Sequence, residues 1–296
     1  MRVIAGVFAL LSLGSTAQAQ SLPDWVSADG RLAFGYSDRI PGADVFLVGD
    51  ASLRFAPAFL GRFGFELGIY GRADALDTPH ETYGAVTYDI GANGRISVGV
   101  PRPAYDGFAV SALEKSFPSL GIDRTGSTRS AATQGAMFAN WLPYGVGFVN
   151  QTDNLRYAVS VQDASNVDMS VASIGAATDL GNWQLSSAVE VSWGTSTEVS
   201  AKIQAVGQFG PVTGGMGYYA PGTAGFSDLF EVFAEISPTD RVTLAAVVQV
   251  PTDGATDPTA GVSARYGFSD SGAISIGVAS DAGSDAVFNA FVDWTF

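Results

Sequence analysis

The last nine residues of the chain, 288–296, place Phe288, Ala290, Val292, Trp294 and Phe296 on one parity, with Asn289 and Asp293 on the other. Successive side chains of a strand point to opposite faces, so this segment reads as a strand with one apolar and one mixed face. The same two-faced alternation recurs along the chain. Candidate strand cores are 31–36, 45–55, 62–70, 82–90 and 95–100, followed by a long gap. Beyond it come 145–150, 156–162, 170–178, 184–193, 199–209, 213–220, 230–236, 241–250, 261–268, 273–280 and 288–296, making sixteen in all. Period-2 alternation over so many short segments implies an all-β chain. Several cores fall short of the roughly 9–11 residues that a tilted membrane strand needs, so their ends are expected to run on into the connections.

The front of the chain points the same way. Arg2 precedes an apolar run from Val3 to Leu13, then small residues and Ala17-Gln18-Ala19. These are the basic, apolar and cleavage regions of a secretory leader, so residues 1–19 are expected to be removed and 20–296 to form one β-barrel. The apolar run is too short for a spanning helix, and no later stretch has about 18 consecutive apolar residues. The chain has no cysteine and a single histidine, His80, which removes disulfide and thiolate chemistry and leaves little for a zinc site. A net charge of −14 disfavours nucleic acid as a partner.

The connections sort by length. Short ones at 89–94, 152–154, 181–182, 211–212, 238–240 and 269–272 alternate with longer polar ones such as 71–81, 221–228 and 251–260, in what reads as strict order. A transmembrane antiparallel barrel has tight turns at one end and larger loops at the other, and with sixteen strands both termini return to the same side. Parity then assigns faces. Leu32, Phe34 and Tyr36, Phe63, Phe65, Leu67 and Ile69, Ile96, Val98 and Val100, and Val242, Leu244, Ala246 and Val248 form apolar faces suited to lipid. The opposite faces carry Arg31, Asp50, Ser52, Arg54, Arg62, Glu66, Tyr70, Arg72, Arg95 and Ser97. A basic side chain facing lipid costs about 2–4 kcal/mol at the midplane, so these belong in a wet lumen. Barrels of this size leave an aqueous channel. Tyr36, Tyr88, Trp193 and Trp294, near strand ends, suit the interfacial girdles.

One connection, 101–143, is far longer than the rest, and long structureless insertions in compact folds are usually functional. It carries Asp106, Glu114 and Asp123. Folded into the lumen, these acids would face a basic wall of Arg31, Arg54, Arg62, Arg72 and Arg95, and the transverse field would favour ions and dipolar solutes. The segment also carries Arg124 and Arg129, so it is not uniformly acidic.

Taken together, the leader, the sixteen strands, the long third loop, the inward arginines on early strands and terminal Phe296 make the chain resemble the general-diffusion porins of Gram-negative bacteria. It looks most like the sixteen-stranded trimeric porins of α-proteobacteria. The resemblance implies a homotrimer in the outer membrane, in contact with its lipid and lipopolysaccharide, passing small hydrophilic solutes and ions without enzymatic chemistry. It also implies that the barrel-assembly machinery reads the last strand through Phe288, Val292, Trp294 and Phe296. Some relatives bind calcium, for which Asp106, Asp123 and Asp163 are the candidates here, but no spacing matches a defined calcium loop and no cofactor is expected. The alternatives are an adhesive or structural barrel, whose loops look short for the task, and an outer-membrane phospholipase, for which His80 would be the lone histidine and no G-x-S-x-G elbow is present. Deletion of Phe296 is expected to lower the yield of heat-resistant barrel while leaving the conductance of each assembled channel unchanged, as read by gel mobility and single-channel recording.

Overall fold

The computed structural model describes residues 22–39, 44–223, 225–254, 257–280 and 286–296, and the expected leader at 1–19 lies outside them. Sixteen strands form one sheet. They are β1 (Val26–Ser37), β2 (Val45–Phe55), β3 (Phe63–Ala73), β4 (His80–Asp89), β5 (Gly94–Val100) and β6 (Tyr144–Gln151). β7 (Leu155–Ala164), β8 (Met169–Leu180), β9 (Trp183–Trp193), β10 (Thr197–Phe209) and β11 (Val212–Ala220) follow. The last are β12 (Leu229–Thr239), β13 (Val242–Pro251), β14 (Thr259–Gly267), β15 (Gly272–Ser280) and β16 (Val287–Thr295). Each pairs antiparallel with its neighbours in sequence, and β16 pairs with β1, closing the ring. All sixteen expected cores fall within or against these strands. Arg62, Ile90, Arg241, Phe268 and Phe296 sit just beyond the ends.

The register at the closing seam shows why the ring has one inside and one outside. Leu32 lies opposite Trp294, Phe34 opposite Val292 and Tyr36 opposite Ala290, all on the outer face. Ala33 lies opposite Asp293 and Ser37 opposite Asn289, and these four are buried within. A slip of one residue would exchange every such pair between faces, so the alternation itself fixes the register. Phe296 lies past the end of β16, yet it exchanges two backbone hydrogen bonds with Gly30, at 3.0 and 3.1 Å, extending the seam by one residue.

The outer surface is a continuous apolar band. Phe34, Phe65, Leu67, Val98, Ile174, Val199, Ile203, Val262 and Ile276 are all exposed on it. Aromatics gather near strand ends. Tyr36 and Trp193 stand at the end with the longer loops, while Trp294 and the pairs Phe63–Tyr88 (4.9 Å between ring centroids) and Trp183–Phe209 (5.5 Å) stand at the turn end. Gly181 and Gly210 supply φ values of +66° and +62° in two of the two-residue turns, a conformation that costs a residue with a side chain. The length sorting is not strict, however. The turn-end connection 56–62 is long enough to hold a 3-10 turn, Ala58–Leu60, and the loop-end connection 194–196 is short.

Replacing Ile174, mid-strand on the outer face of β8, with arginine is expected to destabilise the folded barrel by about 2–4 kcal/mol. Urea titration in lipid vesicles measures this.

Candidate functional site: the segment inside the ring

Between β5 and β6, residues 101–143 fold rather than trail. A 3-10 turn, Ala104–Gly107, is followed by short helices Ala112–Ser116, Pro118–Asp123 and Thr125–Thr128 and a longer one, Ala131–Ala139. Local sequence explains the breaks. Ser111 and Ser130 are N-caps whose side chains accept from Leu113 N and Ala132 N, at 3.2 and 3.1 Å. Pro118 opens the second helix, where its missing N–H costs nothing. Asn140, at φ +55°, closes the last. The expectation of a structureless connection is therefore corrected: this is a small folded unit with caps of its own.

It packs on the buried faces of strands all round the ring. Ile122 and Met137 meet Ala33, Phe46, Val48, Tyr70, Tyr83 and Phe291 on β1–β4 and β16. Leu113, Phe117 and Leu120 meet Phe233, Val247 and Ala279 on β12, β13 and β15. Tyr105 and Phe108 meet Ala177 and Ala188 on β8 and β9. Wall glycines make room for two of these rings. A Cβ on Gly175 would lie 2.1 Å from Phe108, and one on Gly261 would lie 2.4 Å from Phe117.

Polar contacts fix the orientation. Two wall carboxylates each take a helix start. Glu231 of β12 accepts from the Ser111 hydroxyl (2.5 Å) and Ala112 N (2.9 Å). Glu190 of β9 accepts from the Ser130 hydroxyl (2.6 Å) and Ala131 N (2.7 Å). Both are fully enclosed, and free amides at a helix N-terminus are natural partners for a carboxylate. Ser160, Ser173 and Ser186, on successive strands β7, β8 and β9, accept from the backbone N–H groups of Ala104, Tyr105 and Ala109. Lys202 of β10 donates to Thr128 O at 2.9 Å and stands 4.2 Å from the Tyr105 ring centre.

Asp50 of β2 joins the segment to the early strands. It pairs with Arg102 at 2.8 Å and Arg129 at 3.4 Å. Arg129 is buried, bonds Glu114 through two nitrogens and lies 4.3 Å from the Tyr70 ring centre. Burial acts to lower its pKa, but the charge of Glu114 above all, with Tyr70 and Asp50, holds the guanidinium well above its ordinary value.

The structure scatters the expected basic wall. Arg31 donates to Lys115 O at 2.6 Å and pairs with Asp293 at 3.4 Å. Arg72 pairs with Asp123 at 3.0 Å and with Asp74, also at 3.0 Å. These two touch the segment rather than facing it across a gap. Arg54 pairs with Asp89 (2.5 Å) and Arg95 with Glu66 (3.3 Å), both nearer the turn end. Arg62 is exposed in the connection before β3. Of the acids, Glu114 is bound to Arg129, and Asp123 to Arg72 and Arg39. Asp106 faces no arginine of that wall: its oxygens accept from Ser130 N (2.6 Å) and the Thr133 hydroxyl (2.5 Å) within the segment. Asp163, the third calcium candidate, accepts from Ser170 at 3.0 Å on the neighbouring strand. Phe288, Trp294 and Phe296 are exposed on the outer face, with Val292 between them half-buried. Sequence reasoning missed Glu190, Lys202 and Glu231. The available signal was parity, since exposed Val189, Ile203, Phe230 and Val232 flank them and turn them inward.

A closed sixteen-strand antiparallel ring, apolar outside and charged within, is the fold of the sixteen-stranded porins. A mutant Rhodopseudomonas blastica porin is similar over 92% of this chain and 100% of its own, at 18% identity and a TM-score of 0.68. A second mutant of that porin matches over the same shares at 19% identity and 0.67. A structure described as "Asymmetric conductivity of engineered proteins" gives 18% and 0.69, again over 92% of this chain and 100% of that one. At such identities the likeness is one of fold. No protein-family model matches the chain, and no curated protein matches it either.

Replacing Arg129 with glutamine leaves Glu114 and Asp50 short of a buried partner, which is expected to destabilise the seating of the segment by about 3–5 kcal/mol. Limited proteolysis should then cut within 101–143 while the ring stays heat-resistant. Gly261→Val should do the same by expelling Phe117.

Proposed function

We propose that this chain is an outer-membrane channel for passive diffusion of small hydrophilic solutes and ions, with the segment 101–143 setting its aperture. The observation that carries the reading is the inversion of surfaces. Large apolar side chains cover the outside of a closed sheet, whereas Glu, Asp, Arg, Lys, Ser and Gln fill the inside. Every backbone group of a closed sheet is paired, which suits hydrocarbon, and charge on the inner wall calls for water.

Permeation needs no reacting group. The aperture is whatever the seated segment leaves open, so size exclusion depends on Glu190, Glu231, Asp50 and Arg129 holding it in place. Carboxylates and guanidiniums alternate along the lower inner wall at Arg54, Asp89, Arg95 and Glu66, and this mixed field favours small polar solutes over apolar ones of equal size. His80 is exposed at the start of β4, with Nδ1 2.8 Å from Thr78 O, a loop contact that gives no support to a hydrolase reading. The leader would deliver the chain across the inner membrane and the barrel-assembly machinery would insert it. The resemblance supports a homotrimer set in lipid and lipopolysaccharide.

Purified protein added to a planar bilayer is expected to give stepwise, ohmic insertions whose size scales with salt. A folded, heat-modifiable barrel that never conducts would rule the channel out. Arg54→Glu is expected to shift the reversal potential in a salt gradient towards cations, because it leaves Asp89 uncompensated on the lower wall and adds a further carboxylate there. Arg62→Glu, outside the strands, should shift it far less.

A further inference from the structure

Beneath the first turn of the segment, on the turn-end side, lies a cavity of about 180 Å3 between the inner face of β3–β7 and the chain at 101–108. That is roughly six times the volume of a water molecule in the liquid. Three guanidiniums line it, those of Arg95, Arg102 and Arg156, against one carboxylate, Glu66. The positive charges are only partly engaged. Arg95 touches Glu66 at 3.3 Å, Arg102 bonds Asp50 at 2.8 Å, and Arg156 donates to Gly107 O at 2.9 Å. The Nε atoms of Arg95 and Arg102 are withdrawn from solvent and have no hydrogen-bond partner. A charged group left short of partners in this way is costly, and an anion placed beside the guanidinium offsets it electrostatically.

Apart from Ser97, the remainder of the lining is largely apolar. Phe108 lies under the Arg156 guanidinium, 4.9 Å from ring centre to Cζ, and Tyr83, Val149 and Ala158 complete the walls. Stacking on Phe108 holds the Arg156 fork in a fixed plane. A fully hydrated inorganic anion gains nothing from such walls. A carboxylate on a compact apolar body uses both halves of the cavity.

We propose that this cavity is a binding subsite for small organic carboxylates, the carboxylate taken by Arg95 and Arg156 and the apolar body laid against Phe108 and Ala158. It goes beyond conduction, concerning where a solute dwells, and rests on the channel reading only for the ligand's route in.

The test is binding of benzoate to the full mature protein in detergent, by calorimetry or saturation-transfer NMR, beside its neutral analogue benzyl alcohol and inorganic phosphate. Benzoate is expected to saturate one site per chain, with benzyl alcohol and phosphate each about tenfold weaker or more. The double variant Arg95→Gln/Arg156→Gln should lose about tenfold or more of the benzoate affinity. Ala158→Leu, which fills the cavity without touching a charge, should do the same, and Arg241→Gln, in the turn before β13, should not. Unchanged benzoate affinity in the folded double variant or in Ala158→Leu would overturn the proposal, as would phosphate or benzyl alcohol binding as tightly as benzoate to the unaltered protein. That last comparison needs no variant to fold. A protein that binds benzoate but never conducts loses the channel reading alone, and one that conducts but does not bind loses this one alone.

Discussion

The hydrogen bonds between β1 and β16 are the constraint on which the rest of the structure depends. Without them the sheet has two open edges, and in hydrocarbon each unpaired backbone group costs several kcal/mol. With them, the register running from Arg31–Thr295 to Ser37–Asn289 makes the sheet continuous, and the extra exchange between Gly30 and Phe296 completes it at the turn end. Closure also creates an interior. Once the ring exists, half of all strand side chains face an enclosed space, and the choice of residues there becomes a choice about what that space holds.

Here the space holds protein. The 101–143 segment has apolar contacts on three sectors of the wall and polar contacts between and among them. The two kinds of contact divide the work. Leu113, Phe117, Phe108 and Ile122 remove apolar area from water, while Glu190 and Glu231 meet amides that would otherwise be orphaned at helix starts. Because these carboxylates are enclosed, losing either partner is more damaging than never having had the pair. That asymmetry gives the segment one seat rather than several.

The same geometry explains why the arginines do not form one basic wall. A guanidinium reaching towards the centre of the ring meets the segment, as Arg31 and Arg72 do, and is bound by its carbonyls and carboxylates. One placed nearer the turn end, such as Arg54 or Arg95, meets neighbouring strands and pairs with Asp89 or Glu66. Height along the strand therefore decides the role of each, and the charges left under-engaged collect beneath the segment around Arg95, Arg102 and Arg156.

The sequence by itself determined the strand number, which side chains face lipid and which connection is exceptional, because these follow from period-2 alternation and from length, both local properties. It placed Asp50, Glu66 and Arg72 inside correctly, and the same parity turns Glu190 and Glu231 inward. Partners were another matter. Glu231 meets Ser111, 120 positions away, and Arg124 meets Thr259, 135 away. No alternation links residues so distant, since it is the curvature of the closed ring and the folding of the segment that bring them together. Only the tertiary structure could show that Asp106 organises the segment from within, that Arg62 stands outside the strands, and that the long connection is a capped, folded unit rather than an open loop.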